Sequence, residues 1–332
     1  MRLAMFKPAA DRASDWRIGA LVDRQHMLDL KAAASARRRE HTGRALEDVP
    51  DSILGLLHQG ADGLAAARRL LEWARGNHAS LGSLVCPLDD CLFDAPLRPG
   101  KLITLARNYH EHVAEHGLTH TGQVPSASIK ASSSLAGPYD DIVRPAVERQ
   151  LDYETELAVV IGQRCKNVPQ ARAYDVIAGY TVLSDIVARQ VLKIERAAGN
   201  QFLGKMFDSF GPLGPCIVTR DEIADPMNLK ITTRVNGEVR QDSNTSRMIW
   251  SIAQLIAYFS QATLEPGDII STGTPAGVAA GRKPHETPWY LCPGDTIECE
   301  VERVGVLRNR VVEDDADCVS WDWTVPDRTT AA

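Results

Sequence analysis

The sequence predicts a mixed, mostly β fold: a main domain of sheets rolled around a central cavity, preceded by a small α+β N-terminal domain. Three observations carry this expectation. From Lys101 onward, short apolar runs alternate with Gly/Pro turns, as in "ELAVVIG", "GYTVLSD", "LKITTRVNG" and "GDIISTGTPAG". Few stretches are long enough to serve as crossover helices. Residues 1–95 differ in texture from residues 96–332, and "APLRPGK" (Ala95 to Lys101), with two prolines and a glycine, reads as a linker between them.

In the first segment "RLAMF", "IGALVD" and "HMLDL" have the length and apolar content of strands. The basic cluster "ARRRE" (Ala36 to Glu40) reads as a solvated helix end. Helices follow at "DSILGLLHQG" and "ADGLAAARRLLEWARGNH", the second with Leu64, Leu70, Leu71 and Trp73 at core-like spacing and Asp62 near its start. In the second segment Asn236-Gly237 within "VNGEV" is a strong hairpin signal. Helices are expected over 186–198 and over "RMIWSIAQLIAYFSQ", the latter opening after the capping run "SNTS".

Composition narrows the possible functions. The 332 residues are 44% hydrophobic and 24% charged, with a net charge of -6, which fits a globular chain with ample core. No Lys/Arg block is dense enough for nucleic acid, and no apolar run is long enough to span a membrane. Cys86, Cys91, Cys165, Cys216, Cys292, Cys299 and Cys318 are odd in number and scattered, with no C-x-x-C. They read as reduced core residues of a cytoplasmic protein.

The chemistry begins at "LDYETELAVVIG". Glu154 and Glu156 are two apart on a strand, so both point to one face, against an apolar run that should be buried. Like charges that close repel, and burial sharpens the repulsion, so a cation between them is one answer. Asp185 ends the apolar strand of "GYTVLSD", where it could simply cap the next helix. With the two glutamates it makes an all-oxygen set, which favours Mg2+, Mn2+ or Ca2+ over zinc.

In "HEHVAEHGLTH", His112 and Glu115 are three apart and share a helix face, an arrangement that can activate water. Spacing alone favours the plainer reading, exposed histidines near a helix end. The four histidines of this stretch match no zinc spacing. "GNQFLGKM" nearly spells a phosphate-binding loop but ends in Met206 and follows a helical stretch. Lys205 is then either a cation beside an acidic site or a surface lysine. "STGTPAG" could present backbone amides to an anion, or be a tight turn.

In order, these stretches resemble the fumarylacetoacetate hydrolase family, from about Lys101 to Val312. The similarity takes in "ARNYHEHVAEHG", "SIKASSSLAGPYDDIVRP", "LDYETELAVVIG", "GYTVLSDIVARQ", "GKMFDSFGPLGP", "VNGEVRQDSNTSRMIWSIAQLIAYFS" and "TLEPGDIISTGTPAGV". The resemblance implies a β-roll catalytic domain, a dimer, and a Mg2+ or Mn2+ ion held by Glu154, Glu156 and Asp185. It implies that His112 and Glu115 activate water, that Lys130 and Lys205 are catalytic lysines, and that Thr274 faces substrate. Arg107, Tyr109 and Gln241, inside the matching stretches, are expected to bind substrate as well. The N-terminal segment resembles the variable lid-like domain of many members.

Departures touch the cavity wall: "ARNY" replaces G-R-N-Y, "SIKA" replaces F-x-K-P, and "SDIVARQ" replaces N-D-x-S-A-R-D. The resemblance implies hydrolysis of a C–C bond in a 2-oxo or 1,3-dioxo acid of the acylpyruvate or fumarylacetoacetate type. A lyase or isomerase using the same enolate is the alternative.

Overall fold

The strand Thr155–Ile161 is buried along its whole length and organises the molecule. The computed structural model describes residues 1–40, 48–77, 81–119, 122–283 and 289–315. This strand pairs antiparallel with Ile177–Ser184 on one edge and with Ile269–Ser271 on the other. Its side chains alternate between two cores. Leu157, Val159 and Ile161 join one hydrophobic cluster, while Ala158 and Val160 join a second. A strand covered on both faces reads as an unbroken apolar run, as "LAVVI" does.

The large sheet runs in the order Val85–Pro87, His26–Asp29, Arg17–Leu21, Arg2–Pro8, Gly211–Thr219, Ile177–Ser184, Thr155–Ile161, Ile269–Ser271, Leu102–Ala106, Ser126–Lys130. A second sheet of five strands runs Glu238–Asn244, Lys230–Val235, Thr296–Val301, Gly305–Glu313, Ile142–Arg144. The first cluster fills the space between the sheets, with Ile231, Ile297 and Leu307 facing Leu157 and Val159. The Thr155 hydroxyl, on that same face, bonds the Thr233 hydroxyl of the second sheet at 2.5 Å. Glu156 therefore points the opposite way. The fold is mixed and mostly β, as the turn-punctuated strands predict.

The second cluster packs the helices Leu30–Glu40, Ile53–His58 and Ala61–Gly76 on the other side. The three N-terminal strands extend the large sheet itself, because Arg2–Pro8 pairs with Gly211–Thr219. The N-terminal amino group adds a bond to Glu222 at 2.6 Å. Ala95 and Leu97, in the stretch that reads as a linker, are buried. Among the described residues no helix is long and apolar enough to cross a membrane.

Local expectations hold where the signal is local. Asn236 (φ 51°) and Gly237 (φ 81°) form the turn between Lys230–Val235 and Glu238–Asn244, with the two positive φ values that such hairpins need. Two helix starts lie later than the sequence suggests. Val187–Ala188 first pairs with Leu151–Asp152, so the helix expected over 186–198 is Arg189–Ala197. Asn244 caps only the three-residue turn Thr245–Arg247, and the helix Ile252–Phe259 opens at Ser251. The reason is Gln254, which sits at the right spacing to complete a reciprocal cap with Ser251 alone. Cys318 lies outside the described residues.

Ser251→Ala should remove the hydroxyl half of that cap, leaving the backbone amide at 251 bonded to Gln254, and lower unfolding free energy by about 1 kcal/mol. Urea denaturation checks it, and unchanged stability would deny the cap its role.

Candidate active site

The antiparallel register that pairs Thr155 with Ser184 brings Glu154 and Asp185 to the ends of adjacent strands. The Asp185 amide donates to the Glu154 carbonyl at 2.8 Å, fixing the junction. Glu154, Glu156 and Asp185 are all buried, and one carboxylate oxygen from each lies within 4.8 Å of the others.

Three cationic side chains surround them. Lys205 donates to Glu154 at 2.9 Å and to Asp185 at 2.5 Å. Lys130 lies 3.0 Å from the other Asp185 oxygen. Arg189 bridges Glu154 at 2.7 Å and Asp152 at 2.8 Å. Four buried carboxylates thus meet three cations, and Glu156 is the one without an ion pair. Its Oε2 accepts from the Ser271 hydroxyl and from the Gly273 amide at 3.0 Å, while Oε1 has no hydrogen-bond partner.

Protonation follows from this imbalance. Burial raises the pKa of the Glu156 carboxyl, and the negative charges of Asp185 and Glu154 add to it, so it lies well above the usual range. Burial acts on Glu154 too, but Lys205 and Arg189 outweigh it and hold that group below the usual range. Burial lowers the pKa of Lys205, yet Asp185 and Glu154 overcome it and keep the ammonium charged. For Lys130 burial wins over Asp185, and its pKa falls. An all-oxygen set in which Glu156 Oε1 and Asp185 Oδ1 are buried without a hydrogen bond fits a hard divalent cation.

The 269–277 segment meets the dyad from the other side. On the helix His110–Glu115, His112 Nδ1 lies 2.6 Å from Glu115 Oε1, and Glu115 Oε2 accepts from the Gly277 amide at 2.8 Å. The carboxylate thus holds the Nδ1 proton and leaves Nε2 as the basic nitrogen. A Cβ at Gly281 would overlap the Glu115 carboxylate, so only glycine leaves that carboxylate its place.

A cavity of about 390 Å³ opens beside these groups, lined by Arg107, His112, Glu154, Arg196, Lys205 and Thr274 among others. Arg107 adopts a left-handed backbone (φ 57°), a strained conformation for a side chain of its size. Neither Arg107 nor Arg196 is ion-paired with a carboxylate among the described residues. Burial first, then Arg189, lower the pKa of Arg196, with Glu154 partly offsetting them, and its guanidinium donates to Gln201 Oε1 at 3.3 and 3.1 Å.

Three expected residues stand elsewhere. Lys130 does not line the cavity: it spends its donors on Asp185 and on the Lys205 and Phe210 carbonyls. Gln241 is buried, and its amide holds Thr274 at 2.8 Å, the Pro275 carbonyl and the Thr155 amide. Tyr109 is buried in the core. In the near-phosphate loop, the amides of Phe202, Leu203 and Gly204 are taken by the Glu195 carboxylate, which fills the place of an anion.

Sequence reasoning missed Asp152, Arg189 and Arg196. Asp152 continues the every-second-residue pattern of Glu154 and Glu156, a signal that was there to read. It accepts from the Ala279 and Ala280 amides at 2.7 and 3.0 Å.

The Glu156 imbalance makes cation binding pH-dependent. A proton on Glu156 competes with the cation below its raised pKa, so Mn2+ affinity should climb with pH by up to about tenfold per unit and then level off. Glu156→Gln should weaken Mn2+ by at least about tenfold and flatten that slope. Calorimetric titration across pH tests both; an unchanged affinity would remove Glu156 from the site.

Comparison with known proteins places the chain. The sequence model of the fumarylacetoacetate (FAA) hydrolase C-terminal family matches residues 101–312. Human oxaloacetate tautomerase FAHD2B, mitochondrial, is 43% identical over 267 residues, 80% of this chain and 81% of that protein. Oxaloacetate tautomerase YisK of Bacillus subtilis is 38% identical over 300 residues, 89% and 95% of the two chains. The solved maleylpyruvate hydrolase of Sphingobium sp. SYK-6, in complex with manganese(II) and pyruvate, is 31% identical, with a TM-score of 0.67 over 94% of this chain and 99% of that one. The β-sheets, the carboxylate cluster and these similarities together make this chain a member of the fumarylacetoacetate hydrolase family of enzymes.

Proposed function

We propose that this protein is a Mg2+- or Mn2+-dependent tautomerase that interconverts the keto and enol forms of a small 2-oxo dicarboxylic acid such as oxaloacetate. The observation that carries this reading is the pair of arginines, Arg107 and Arg196, free of carboxylates in the same cavity as the acidic cluster. A ligand carrying negative charge at both ends satisfies both: one end at the cation, the other at the guanidiniums. Relatives named oxaloacetate tautomerase support the same class.

Glu154, Glu156 and Asp185 would hold the divalent ion, which when bound supplies Lewis-acid polarisation of the 2-oxo group. His112 Nε2 removes a proton from the carbon between the 2-oxo group and the distal carboxylate. Glu115 keeps the ring in the tautomer with hydrogen on Nδ1 and steadies the imidazolium that forms. The imidazolium returns the proton to the oxygen, completing the enol. Lys205 stays protonated and offers charge to the developing enolate rather than a proton. Lys130 and Arg189 act through Asp185 and Glu154, holding those carboxylates in place.

The second reading is the hydrolytic C–C cleavage first expected. The His112–Glu115 pair favours it, since such a pair can equally deprotonate water. The two differ in whether water is consumed. Decay of the enol absorbance of oxaloacetate, faster with enzyme and Mn2+, is the expected outcome for the tautomerase. With acylpyruvates in water labelled with oxygen-18, heavy oxygen in a released carboxylate would instead establish the hydrolase.

His112→Ala should lower turnover by about 10²–10⁴ while leaving Mn2+ affinity intact. Full turnover in that variant would remove the base, and loss of Mn2+ would make His112 a ligand. Arg196→Gln should raise KM for oxaloacetate by at least about tenfold, as for loss of a charge-assisted hydrogen bond, and barely affect a 2-oxo monocarboxylate. An equal effect on both substrates would deny Arg196 its part.

A further inference from the structure

The histidine-rich stretch matches no zinc spacing as a whole, yet three of its side chains converge. His112 and His116 are four residues apart on the helix His110–Glu115 and its C-terminal cap, with Glu115 between them. One donor atom from each of the three lies within 4.8 Å of the others. The two rings meet edge to face, centroids 4.8 Å apart. Both histidines line the cavity, and the group shares no residue with Glu154, Glu156 and Asp185.

We propose that His112, Glu115 and His116 form a second cation site, selective for zinc-like ions, whose occupation inhibits the enzyme. Two imidazole nitrogens and one carboxylate suit a borderline ion in tetrahedral geometry, with a fourth position open to the cavity. Mg2+ and Mn2+ are directed instead to the all-oxygen set. Two histidines at this spacing on one helix face, with a glutamate beside them, have the geometry of a zinc-binding helix.

The ion takes the place of the proton shared by His112 Nδ1 and Glu115 Oε1, and His116, half-exposed at the helix end, swings in as the third ligand. The neutral ring keeps its one hydrogen, which moves from Nδ1 to Nε2. No proton is lost from the ring, and coordinate bonds replace one hydrogen bond. Nε2 then has no lone pair for a substrate proton or for water, so the base is silenced whichever of the two reactions the enzyme performs. The inhibition rests on the dyad acting as base, as read above; the binding does not.

The test uses the full chain held in saturating Mg2+, so that the carboxylate cluster is occupied. Calorimetric titration with Zn2+ should show one further ion binding, and Co2+ in its place should give the intense visible absorption of nitrogen-coordinated, low-coordinate cobalt. His116→Gln should weaken Zn2+ binding by at least about tenfold, the least expected when a ligand is lost, and leave Mn2+ affinity at the carboxylates unchanged. Zn2+ inhibition of enol decay, each protein measured against its own zinc-free rate, should weaken by the same factor. Zinc binding that disappears in saturating Mg2+, or that is equally tight in His116→Gln, would overturn the site. Zinc bound as expected but without inhibition would keep the site and overturn both the inhibition and the dyad's role as base.

Discussion

Carboxylates buried within a few ångströms of one another raise each other's pKa unless cations lie among them, and burial magnifies the effect. Most of the site's construction answers that constraint. Lys205 stands between Glu154 and Asp185, Lys130 behind Asp185, and Arg189 between Glu154 and Asp152. Four carboxylates outnumber three basic groups, and the one left without an ion pair is Glu156, whose Oε1 is without a hydrogen bond. A divalent ion would add the positive charge that an anionic substrate requires. Lys205 and Arg189 keep Glu154 ionised, and Glu156 makes the site need the ion.

The β-framework explains why the arrangement is precise. Adjacent antiparallel strands end at Glu154 and Asp185, so backbone hydrogen bonds, rather than flexible side chains, set their separation. The 269–277 segment then works on both halves of the site. Ser271 and Gly273 bind Glu156, and Gly277 binds Glu115. Gln241 ties the same segment to the second sheet through Thr274 and Pro275. The dyad and the acidic cluster are thereby held by one short stretch, and a shift in it would disturb both.

What could be read from the sequence was local. The buried strand showed in an unbroken apolar run, the hairpin in Asn236-Gly237, and the acidic cluster in glutamates two apart near a strand-ending aspartate. Pairing between Arg2–Pro8 and Gly211–Thr219 left no local trace, since either strand alone could pair with any apolar neighbour. The direction of a buried lysine is equally silent. Lys130 and Lys205 look alike in sequence, yet only Lys205 reaches the cavity, because Lys130 is spent on backbone carbonyls and Asp185. Gln241 and Tyr109 sit in matching stretches but turn inward, whereas Arg196 belongs to no motif and faces the cavity. Asp152 is legible by its spacing alone. Its partner Arg189 could have been found by asking which cation balances so many carboxylates.

The position of a bound divalent ion tests the carboxylate site most directly. Diffraction from crystals soaked in Mn2+, recorded where manganese scatters anomalously, locates the ion without reference to activity. The expected result is a strong anomalous peak enclosed by Glu154, Glu156 and Asp185, with Glu156 Oε1 turned toward it. A well-bound ion elsewhere, with Glu156 Oε1 still unpartnered, would contradict the account.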